Sequence, residues 1–448
     1  MTTGETPDAV LCTLNSDFLI LKTTNTNNKN VRQILFSSSS NIILIFTAHA
    51  KIVIMKISDF VEVKNPRVAS RYMKDKVAVG DFIEDYIDGA ININTDFKEM
   101  LHHKDEIFTY QFVGHHYKFL ISRFLPEVLS HSKKQDERIV RSHYDNKNDL
   151  FNWFLGPKMI YTSCYFLTGN ESLEDAQDNK MNLIAQKIQL KPGESLLDIG
   201  CGWGTLVMHM AKHFGADATG VTIAQAGTDW GMKQIHDNGV EDKARILRMD
   251  YRDIPKDKKY DKITCLEMAE HVGVKNFKKF MKQIYSMLND DGIFYLQIAG
   301  LRERDSLFTG PIHEDLVWGL FMNEYIFSGA DASMPLNWDL KNIERTGFEV
   351  HSIENIGIHY SKTIEYWYQN WMSNREKILE KYGERIFRIY TVFLAWSIYI
   401  TIQGSSTAYQ IVCRKNLNTF DRKRFIGATI FGEKYKFRKA DEPVLETV

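Results

Sequence analysis

Between residues 190 and 300, short apolar runs alternate with stretches in which apolar residues recur every three or four positions. The runs are typical of buried parallel strands, and the stretches are typical of helices packed against them. Five strands are predicted here, within LLDI, GADATGVTIA, ARILRMDYRDI, YDKITCLE and GIFYLQIAGL. Two more are predicted within FEVHSIENIGIHY and, after a long amphipathic helix from about Asn374, within TAYQIVCRK. This alternation predicts an α/β fold with a doubly wound, mainly parallel sheet.

The region before this sheet has a helical pattern. From Ser70 to about Gln135, Phe, Tyr, Leu and Ile recur at spacings of three and four, which is typical of helices that pack an aromatic face into a core. Residues 140–166 mix polar and aromatic residues without a clean period. We therefore expect a helical cap, followed by a loop-and-helix segment that folds over a site.

The first 69 residues give the weakest signal. Their Thr-, Asn- and Ser-rich start is typical of a mobile leader. The most apolar stretch, Asn41–Ile57, is interrupted by His49 and Lys51, and neither half approaches the roughly 20 residues that a bilayer requires. It predicts two short strands or a degenerate anchor, with no clear membrane span and no signal peptide for secretion.

The stretch LLDIGCGWGTL, residues 196–206, carries the strongest chemical signal. Glycines at 200, 202 and 204 follow an apolar run that contains Asp198, and a helical pattern starts at Thr205. Glycines in a strand-to-helix turn let a ligand approach the backbone, yet the pattern matches neither a Walker loop nor a dinucleotide fingerprint. The next two strands end at Thr222 and at Asp250-Tyr251, on the same sheet edge. We expect a nucleoside pocket without a phosphate site, as S-adenosylmethionine requires; a tight turn without a ligand is the alternative.

Groups suited to proton transfer follow the fourth predicted strand. Glu267, Glu270 and His271 come directly after it, and the fifth predicted strand ends in Gln297. Acidic residues and a histidine at this edge can serve as acids or bases. The alternative is a negative charge that suits the dipole of a helix N-terminus. Of these residues, Glu270 is the preferred functional candidate.

Composition excludes several classes of protein. A net charge of -1 over 448 residues gives no general attraction to nucleic acid. The five cysteines form no C-x-x-C pair, so the sequence predicts neither a metal site nor a disulfide framework, and a reducing location that faces the cytosol fits best. Residues 414–439 have nine Lys or Arg against two acids, interleaved with aromatic residues. This basic tail predicts contact with an anionic lipid surface, or else a solvated disordered end.

Six motifs together resemble the cyclopropane-fatty-acid-synthase superfamily of methyltransferases over residues 70–415. They are HYDNKNDLFNWFLGPKMIYTS, LLDIGCGWGTL, CLEMAEHVGV, FYLQIAGL, MNEYIFSGADAS and GIHYSKT. Within the superfamily, they are most similar to the fungal sphingolipid C9-methyltransferases. The resemblance implies a Rossmann-like, seven-stranded S-adenosyl-L-methionine-dependent methyltransferase sheet with a helical N-terminal cap. The implied division is a leader over 1–69, a cap and substrate-side segment over 70–180, a methyltransferase domain over 181–415 and a tail over 416–448.

The resemblance also implies roles for individual residues. The implied cofactor contacts are Tyr161, Thr162, Leu196, Asp198, Gly200, Gly202, Trp203, Gly204, Thr222, Ile223, Asp250 and Tyr251. Where relatives have a glutamine, this sequence has Gly227, and Gln225 is a possible replacement. The positions that bind bicarbonate in cyclopropane synthases correspond to Ser163, Glu270, Gln297 and Tyr360, of which only Glu270 and Tyr360 keep the ligand type. Glu270, Tyr360 and His271 are the implied catalytic residues.

The implied reaction adds the cofactor's methyl group to C9 of a sphingoid 8-alkene in ceramide or glucosylceramide. Proton loss from C9 then restores the double bond, with Glu270 as the candidate base. Such a site has to be dry and lined by aromatic faces, for which Trp153, Phe154, Tyr161, Phe327, Tyr360, Tyr366 and Trp367 are available. The alternatives are cyclopropanation of phospholipid acyl chains, N-methylation of a small amine, and lipid binding without catalysis. The expected location is a cytosol-facing membrane surface, with the endoplasmic reticulum as a candidate.

Overall fold

The computed structural model describes residues 8–15, 18–25, 55–124, 147–303, 313–329, 333–419 and 422–425. Within the leader, strands Asp8–Asn15 and Phe18–Asn25 pair antiparallel. The stretch from residue 41 to residue 54, with its predicted strands or anchor, lies outside the described residues, as does the tail from residue 426.

A seven-stranded sheet forms the centre of the molecule. In chain order its strands are β1 (Ser195–Ile199), β2 (Asp217–Thr222), β3 (Ala244–Arg248), β4 (Tyr260–Leu266), β5 (Leu288–Leu301), β6 (Phe348–Asn355) and β7 (Ser406–Lys415). Their order across the sheet is β6-β7-β5-β4-β1-β2-β3. The first five are parallel, whereas β7 runs antiparallel to both of its neighbours. The prediction of a mainly parallel, seven-stranded sheet is confirmed.

This strand order fixes where a ligand can bind. The chain proceeds from β1 outward to β2 and β3, then returns to place β4 on the other side of β1. In open α/β sheets, the crevice beyond the carboxyl ends of the strands at such a reversal is the usual ligand site. The predicted glycine loop follows β1 and Glu267 follows β4, so both border this crevice.

Helices cover both faces of the sheet and build a separate cap. The helices on the sheet are Leu173–Lys187, Thr205–Phe214, Gln225–Asp237, Val274–Met287 and Leu336–Glu344. The cap helices are Val79–Ile87, Phe97–Leu101, Lys104–Ile107, Gly114–Phe119, Asn148–Leu155, Glu314–Phe321, Gly357–Ser373 and Arg375–Ile402. Short strand pairs, Val61–Val63 with Ile91–Ile93 and Val77–Ala78 with Phe108–Thr109, also belong to the cap.

The cap therefore draws on both ends of the described chain. Phe82, Phe154, Trp367 and Trp371 are fully buried in one shared aromatic core, although the first two come from helices before β1 and the other two from a helix between β6 and β7. The sequence predicts a cap from the N-terminal side alone. The helices between β6 and β7 complete it because their apolar faces pack against the cap rather than lying exposed.

Two predicted strand ends are wrong. Gln297 lies inside β5, since β5 continues to Leu301 by pairing with β7 along its whole second half. Tyr360 lies in the helix Gly357–Ser373, because β6 stops at Asn355. The Asn355 side chain accepts a hydrogen bond from the Gly357 N–H (2.8 Å), which starts the helix.

One helix in the described part of the chain is long and apolar enough to cross a membrane by those two criteria alone. It is Arg375–Ile402, and 78% of its most apolar window is buried in the protein. The helix is broken at Gly383, which has φ 76° and ψ 172°. Burial in the cap core accounts for its apolar composition.

Candidate active site

A cavity of about 220 Å³ lies at the carboxyl ends of the parallel strands. Its wall includes residues that follow β1, β2, β3 and β4, together with residues 159–162 from the segment before the sheet. The predicted site residues that line it are Tyr161, Thr162, Asp198, Gly200, Gly202, Trp203, Thr222, Ile223, Asp250, Tyr251 and His271. Leu196, Gly204, Glu270 and Tyr360 do not line it.

The glycine loop needs its three glycines for two different reasons. A side chain at Gly200 would place its Cβ 2.3 Å from the Met268 side chain, and one at Gly204 would place its Cβ 2.1 Å from Ile246. At Gly202, by contrast, φ is +55° and the added Cβ would meet no atom of the described residues within 4 Å. Gly202 lines the cavity, so its missing side chain leaves room for a ligand against the backbone.

Gly204 and Leu196 were predicted as cofactor contacts, and the structure gives them other roles. Gly204 precedes the helix Thr205–Phe214 with φ 75°, and its missing side chain leaves room for the Ile246 side chain of β3. Leu196 is fully buried near the start of β1, at the opposite end of the strand from the cavity. Both residues support the loop and do not border the ligand space.

Gly227 also lines the cavity, and its close approach to the glycine loop explains the residue type. An added Cβ there would lie 2.5 Å from the Gly202 carbonyl oxygen. Gln225, the expected replacement for the relatives' glutamine, instead donates a hydrogen bond to Asp229 (2.6 Å) and does not line the cavity.

Two aromatic residues are held in place on the cavity wall. The Trp203 indole N–H donates to the Asn148 side chain (2.9 Å), which ties the glycine loop to the helix Asn148–Leu155. Tyr251 packs edge-on against Phe280, with ring centroids 5.0 Å apart. Asp250, beside it, accepts hydrogen bonds from the Arg252 guanidinium at 2.6 Å and 2.7 Å.

Two buried ionisable groups line the cavity near β1. Asp198 accepts a hydrogen bond from the Thr264 hydroxyl (2.7 Å), and burial raises its pKa to about 6. Lys180, on the helix Leu173–Lys187, is 2% exposed and donates to the Thr162 hydroxyl. Its positive charge opposes the rise in the pKa of Asp198.

The Glu267 carboxylate is held by three hydrogen-bond donors in the site. It accepts hydrogen bonds from the Ser163 backbone N–H (3.2 Å), the Gln297 side chain (2.6 Å) and the Tyr360 hydroxyl (2.8 Å). Glu267 lines the cavity and has φ +49°, a conformation that few non-glycine residues adopt. Burial raises the pKa of Glu267, whereas the three donors and Lys180 lower it.

Glu270 lies beside this group and not within it. One carboxylate oxygen accepts from the Ala299 N–H (2.5 Å), and the other is buried without a hydrogen-bond partner among the described residues. Burial and the negative charge of Glu267 raise the pKa of Glu270 to about 8, which makes the neutral acid its main form at neutral pH. The expected anion ligands Ser163, Gln297 and Tyr360 thus converge on Glu267 in place of Glu270.

Five of the seven predicted aromatic residues form one contiguous cluster. Ring centroids are 5.5 Å apart for Tyr161 and Trp367, and 5.7 Å apart for Tyr161 and Phe327. Phe154 lies 5.6 Å from Tyr161, and Tyr360 lies 6.1 Å from Trp367. Tyr161 joins the cluster to the cavity, and the Tyr360 hydroxyl joins it to Glu267.

The other two aromatic residues lie elsewhere. Trp153 packs against Tyr382, and the Tyr366 hydroxyl donates to the Glu171 carbonyl (2.8 Å). His271 lines the cavity, with its ring 6.2 Å from that of Phe327.

The wall of the cavity fits a nucleoside linked to an amino acid. It combines an open glycine backbone, a buried acid near the end of β1 and another just after β3, a buried ammonium and apolar side chains such as Met249 and Leu266. Gly202 provides the decisive observation, because it lines the cavity and has open space where a side chain would stand.

A family model described as mycolic acid cyclopropane synthetase matches residues 131–411. The chain belongs to this family. It is 47% identical to a sphingolipid C9-methyltransferase of Komagataella phaffii over 83% of this chain and 77% of that protein. Sphingolipid C9-methyltransferase A of Emericella nidulans is 47% identical over 78% of this chain and 67% of its own. A sphingolipid C9-methyltransferase of Candida albicans is 42% identical over 83% of this chain and 74% of its own.

Solved structures support the same fold. A mycolic acid cyclopropane synthase complexed with SAH and CTAB has a TM-score of 0.59 at 24% identity, covering 62% of this chain and 98% of its own. Coclaurine N-methyltransferase, bound to N-methylheliamine and SAH, has a TM-score of 0.56 at 17% identity, covering 75% and 94%. This member of the cyclopropane synthetase family is an S-adenosyl-L-methionine-dependent methyltransferase.

Proposed function

We propose that this methyltransferase adds a methyl group to C9 of the sphingoid base of ceramide or glucosylceramide. The names of the relatives at 42–47% identity support the substrate class. Within the site, the proposal rests on one observation: a carboxylate held by three donors borders both the cofactor cavity and a cluster of aromatic rings. Methylation of an alkene requires both features.

The aromatic cluster suits a substrate carbon that becomes positively charged. An alkene that accepts a methyl cation leaves positive charge on the neighbouring carbon, and water would quench it. Phe154 and Trp367 are fully buried, so this side of the site excludes water. Aromatic faces attract a cation by roughly 2 kcal/mol when the site is desolvated. Tyr161 lines the cavity, and the rings of Phe327 and Trp367 contact it, so these three rings are the candidates for stabilising the positive charge.

Proton removal completes the reaction, and Glu267 is the proposed base. When bound, the cofactor supplies the electrophilic methyl group. Glu267 then takes the proton from the methylated carbon, and the electrons of that C–H bond restore the double bond. Gln297 and Tyr360 hold the carboxylate in place by donating to its two different oxygens. A base with a raised pKa is suited to this step, because its proton affinity is closer to that needed near neutral pH.

The substrate is tested by incubating the purified chain with cofactor and a ceramide that has an 8-alkene in its sphingoid base. The expected product has one methyl branch at C9, identified by mass spectrometry after ozonolysis and by NMR. The matched control is the ceramide saturated at that position, which should give no product. Methylation of soluble amines with no change in either ceramide would contradict the proposal.

We further propose that the enzyme works on a cytosol-facing membrane surface, such as that of the endoplasmic reticulum. Its acceptor would be a membrane lipid, and the basic, aromatic composition of residues 414–439 suits an anionic surface. Replacing Lys434, Lys436, Arg438 and Lys439 with glutamine should weaken binding to vesicles that contain anionic lipid by at least about tenfold at low salt. Flotation or sedimentation measures this binding.

The control for the tail carries the same charge change on a helix. Lys275, Lys278, Lys279 and Lys282 are all exposed on Val274–Met287. Their replacement with glutamine should leave vesicle binding nearly unchanged. Equal weakening by both variants would show a general charge effect and would contradict a specific role for the tail.

A further inference from the structure

Lys180 is an unusual residue to find in the wall of a cofactor cavity. It lies on the helix Leu173–Lys187 with 2% of its surface exposed, on the face that also buries Ala176, Gln177 and Ile184. Lysine is almost never fully buried unless its charge is paired, because removing an ammonium group from water is costly. Some group must therefore compensate this charge.

The described contacts of Lys180 leave its ammonium incompletely satisfied. An ammonium group has three N–H donors. In the described residues, one hydrogen bond is formed, to the Thr162 hydroxyl. Burial lowers the pKa of Lys180, and the nearby charges of Glu267 and Asp198 oppose this lowering. Their described hydrogen bonds, however, come from Thr264 and from the donors around Glu267.

Lys187, seven positions later on the same helix, is a buried lysine whose charge is compensated by the protein, and it serves as a comparison for Lys180. It is 1% exposed, and its ammonium donates both to the Glu354 carboxylate and to the Gln410 side chain. It does not line the cavity. Lys180 differs in both respects, since it borders the ligand space and has one described acceptor.

We propose that Lys180 binds the carboxylate of the cofactor's amino-acid moiety, with Thr162 orienting the ammonium. The same cavity wall carries Asp198, whose carboxylate suits the amino group of that moiety. Asp198 and Lys180 together present an anion and a cation, as a zwitterionic amino acid requires. This inference rests on the use of S-adenosylmethionine and is independent of the acceptor lipid.

The test compares S-adenosylmethionine with its decarboxylated analogue by isothermal titration calorimetry, without any acceptor. The wild-type protein should bind the carboxylated form about 10- to 100-fold more tightly, the range expected for a hydrogen bond to a charged group. Lys180→Met, which keeps the volume of the side chain, should lose this preference through weaker binding of the carboxylated form. The control Lys187→Met should keep the preference even where its thermal stability falls.

Two results would overturn the inference. Equal wild-type affinity for the two compounds would do so whether or not the variants fold. A Lys180→Met protein that folds, as checked by circular dichroism, and keeps the full preference would do so as well. If Lys180 served only to stabilise the charge of Glu267, the variant would change turnover and leave the preference intact. Failure of the lipid assay would not affect these binding results.

Discussion

Replacing Glu267 with glutamine is expected to lower kcat by about 10²- to 10⁴-fold, the range associated with the loss of a general base. Glutamine has the same shape but cannot take the proton from the methylated carbon. The side chains that hold Glu267 would remain, so cofactor affinity should change little. The measurements are single-turnover methyl transfer to the ceramide 8-alkene and a separate calorimetric titration of the cofactor.

Glu270→Gln is the matched control for this prediction. Glu270 lies three positions away, is buried, and has its pKa raised to about 8, so near neutral pH glutamine replaces a side chain that is already mostly neutral. Its turnover should stay within about threefold of wild type, a much smaller change than the loss of a general base causes. The reverse result, with Glu270→Gln inactive and Glu267→Gln active, would return the role of base to Glu270.

The pH profile provides an independent sign of the base. The base must be ionised to accept a proton, so activity should rise with pH as Glu267 loses its proton. Because burial raises the pKa of Glu267, this rise should occur above the range of an exposed glutamate. In Glu267→Gln, the residual activity should no longer show this rise. A rise that persists unchanged in the variant would assign it to another group.

Gly202→Val is expected to weaken cofactor binding by about 10- to 100-fold, corresponding to the 1–3 kcal/mol that overpacking usually costs. The valine side chain would enter the open space beside the glycine backbone on the cavity wall. Calorimetric titration measures the affinity, and circular dichroism checks the fold. Cofactor affinity equal to that of wild type in the folded variant would remove Gly202 from the site.

Backbone strain requires its own control, because valine is unfavourable at positive φ. Gly239 has φ +65°, an added Cβ there would have no neighbour within 4 Å in the part of the chain that the structure describes, and it does not line the cavity. Gly239→Val should lose a similar amount of stability, about 1–2 kcal/mol for a left-handed conformation, and keep cofactor affinity. The difference between the two variants isolates the effect of the side chain on the ligand.

The strands of the sheet and the position of the glycine loop were predictable from the sequence for physical reasons, whereas the order of the strands across the sheet and the antiparallel direction of β7 were not. Apolar runs such as LLDI are typical of strands that are buried on both faces. Glycines at alternate positions mark a turn whose backbone a ligand can approach. The contacts of the loop were less predictable. Gly204 and Gly227 serve close packing against Ile246 and Gly202, which no local pattern reveals.

The spacing of residues along the sequence could not show which of the two glutamates is held by hydrogen bonds in the site. Glu267 and Glu270 both follow β4, and the motif resemblance favours Glu270. The positive φ of Glu267 turns the chain at the end of the strand, and long-range donors at Ser163, Gln297 and Tyr360 then converge on it. These donors are separated from Glu267 by 104, 30 and 93 positions, so only the fold brings them together.

Lys180 was missed for a different reason. A single lysine in a helix rich in polar residues is ordinarily a solvated side chain, and the sequence of Leu173–Lys187 has no strong apolar stripe. One signal in the sequence could have indicated that Lys180 is buried. It lies between Ala176 and Ile184 at spacings of four residues, on the same face of the helix.

The most direct measurement of the central claim is the fate of the methyl hydrogens. Wild-type protein is incubated with S-adenosylmethionine carrying three deuterium atoms on its methyl group and with the ceramide 8-alkene. If the proton is lost from the methylated substrate carbon, as proposed, the product is a C9-methyl alkene that keeps all three deuterium atoms, as read by mass spectrometry and NMR. A product that keeps only two, with a cyclopropane ring, would contradict the account, because the proton would then have come from the transferred methyl group.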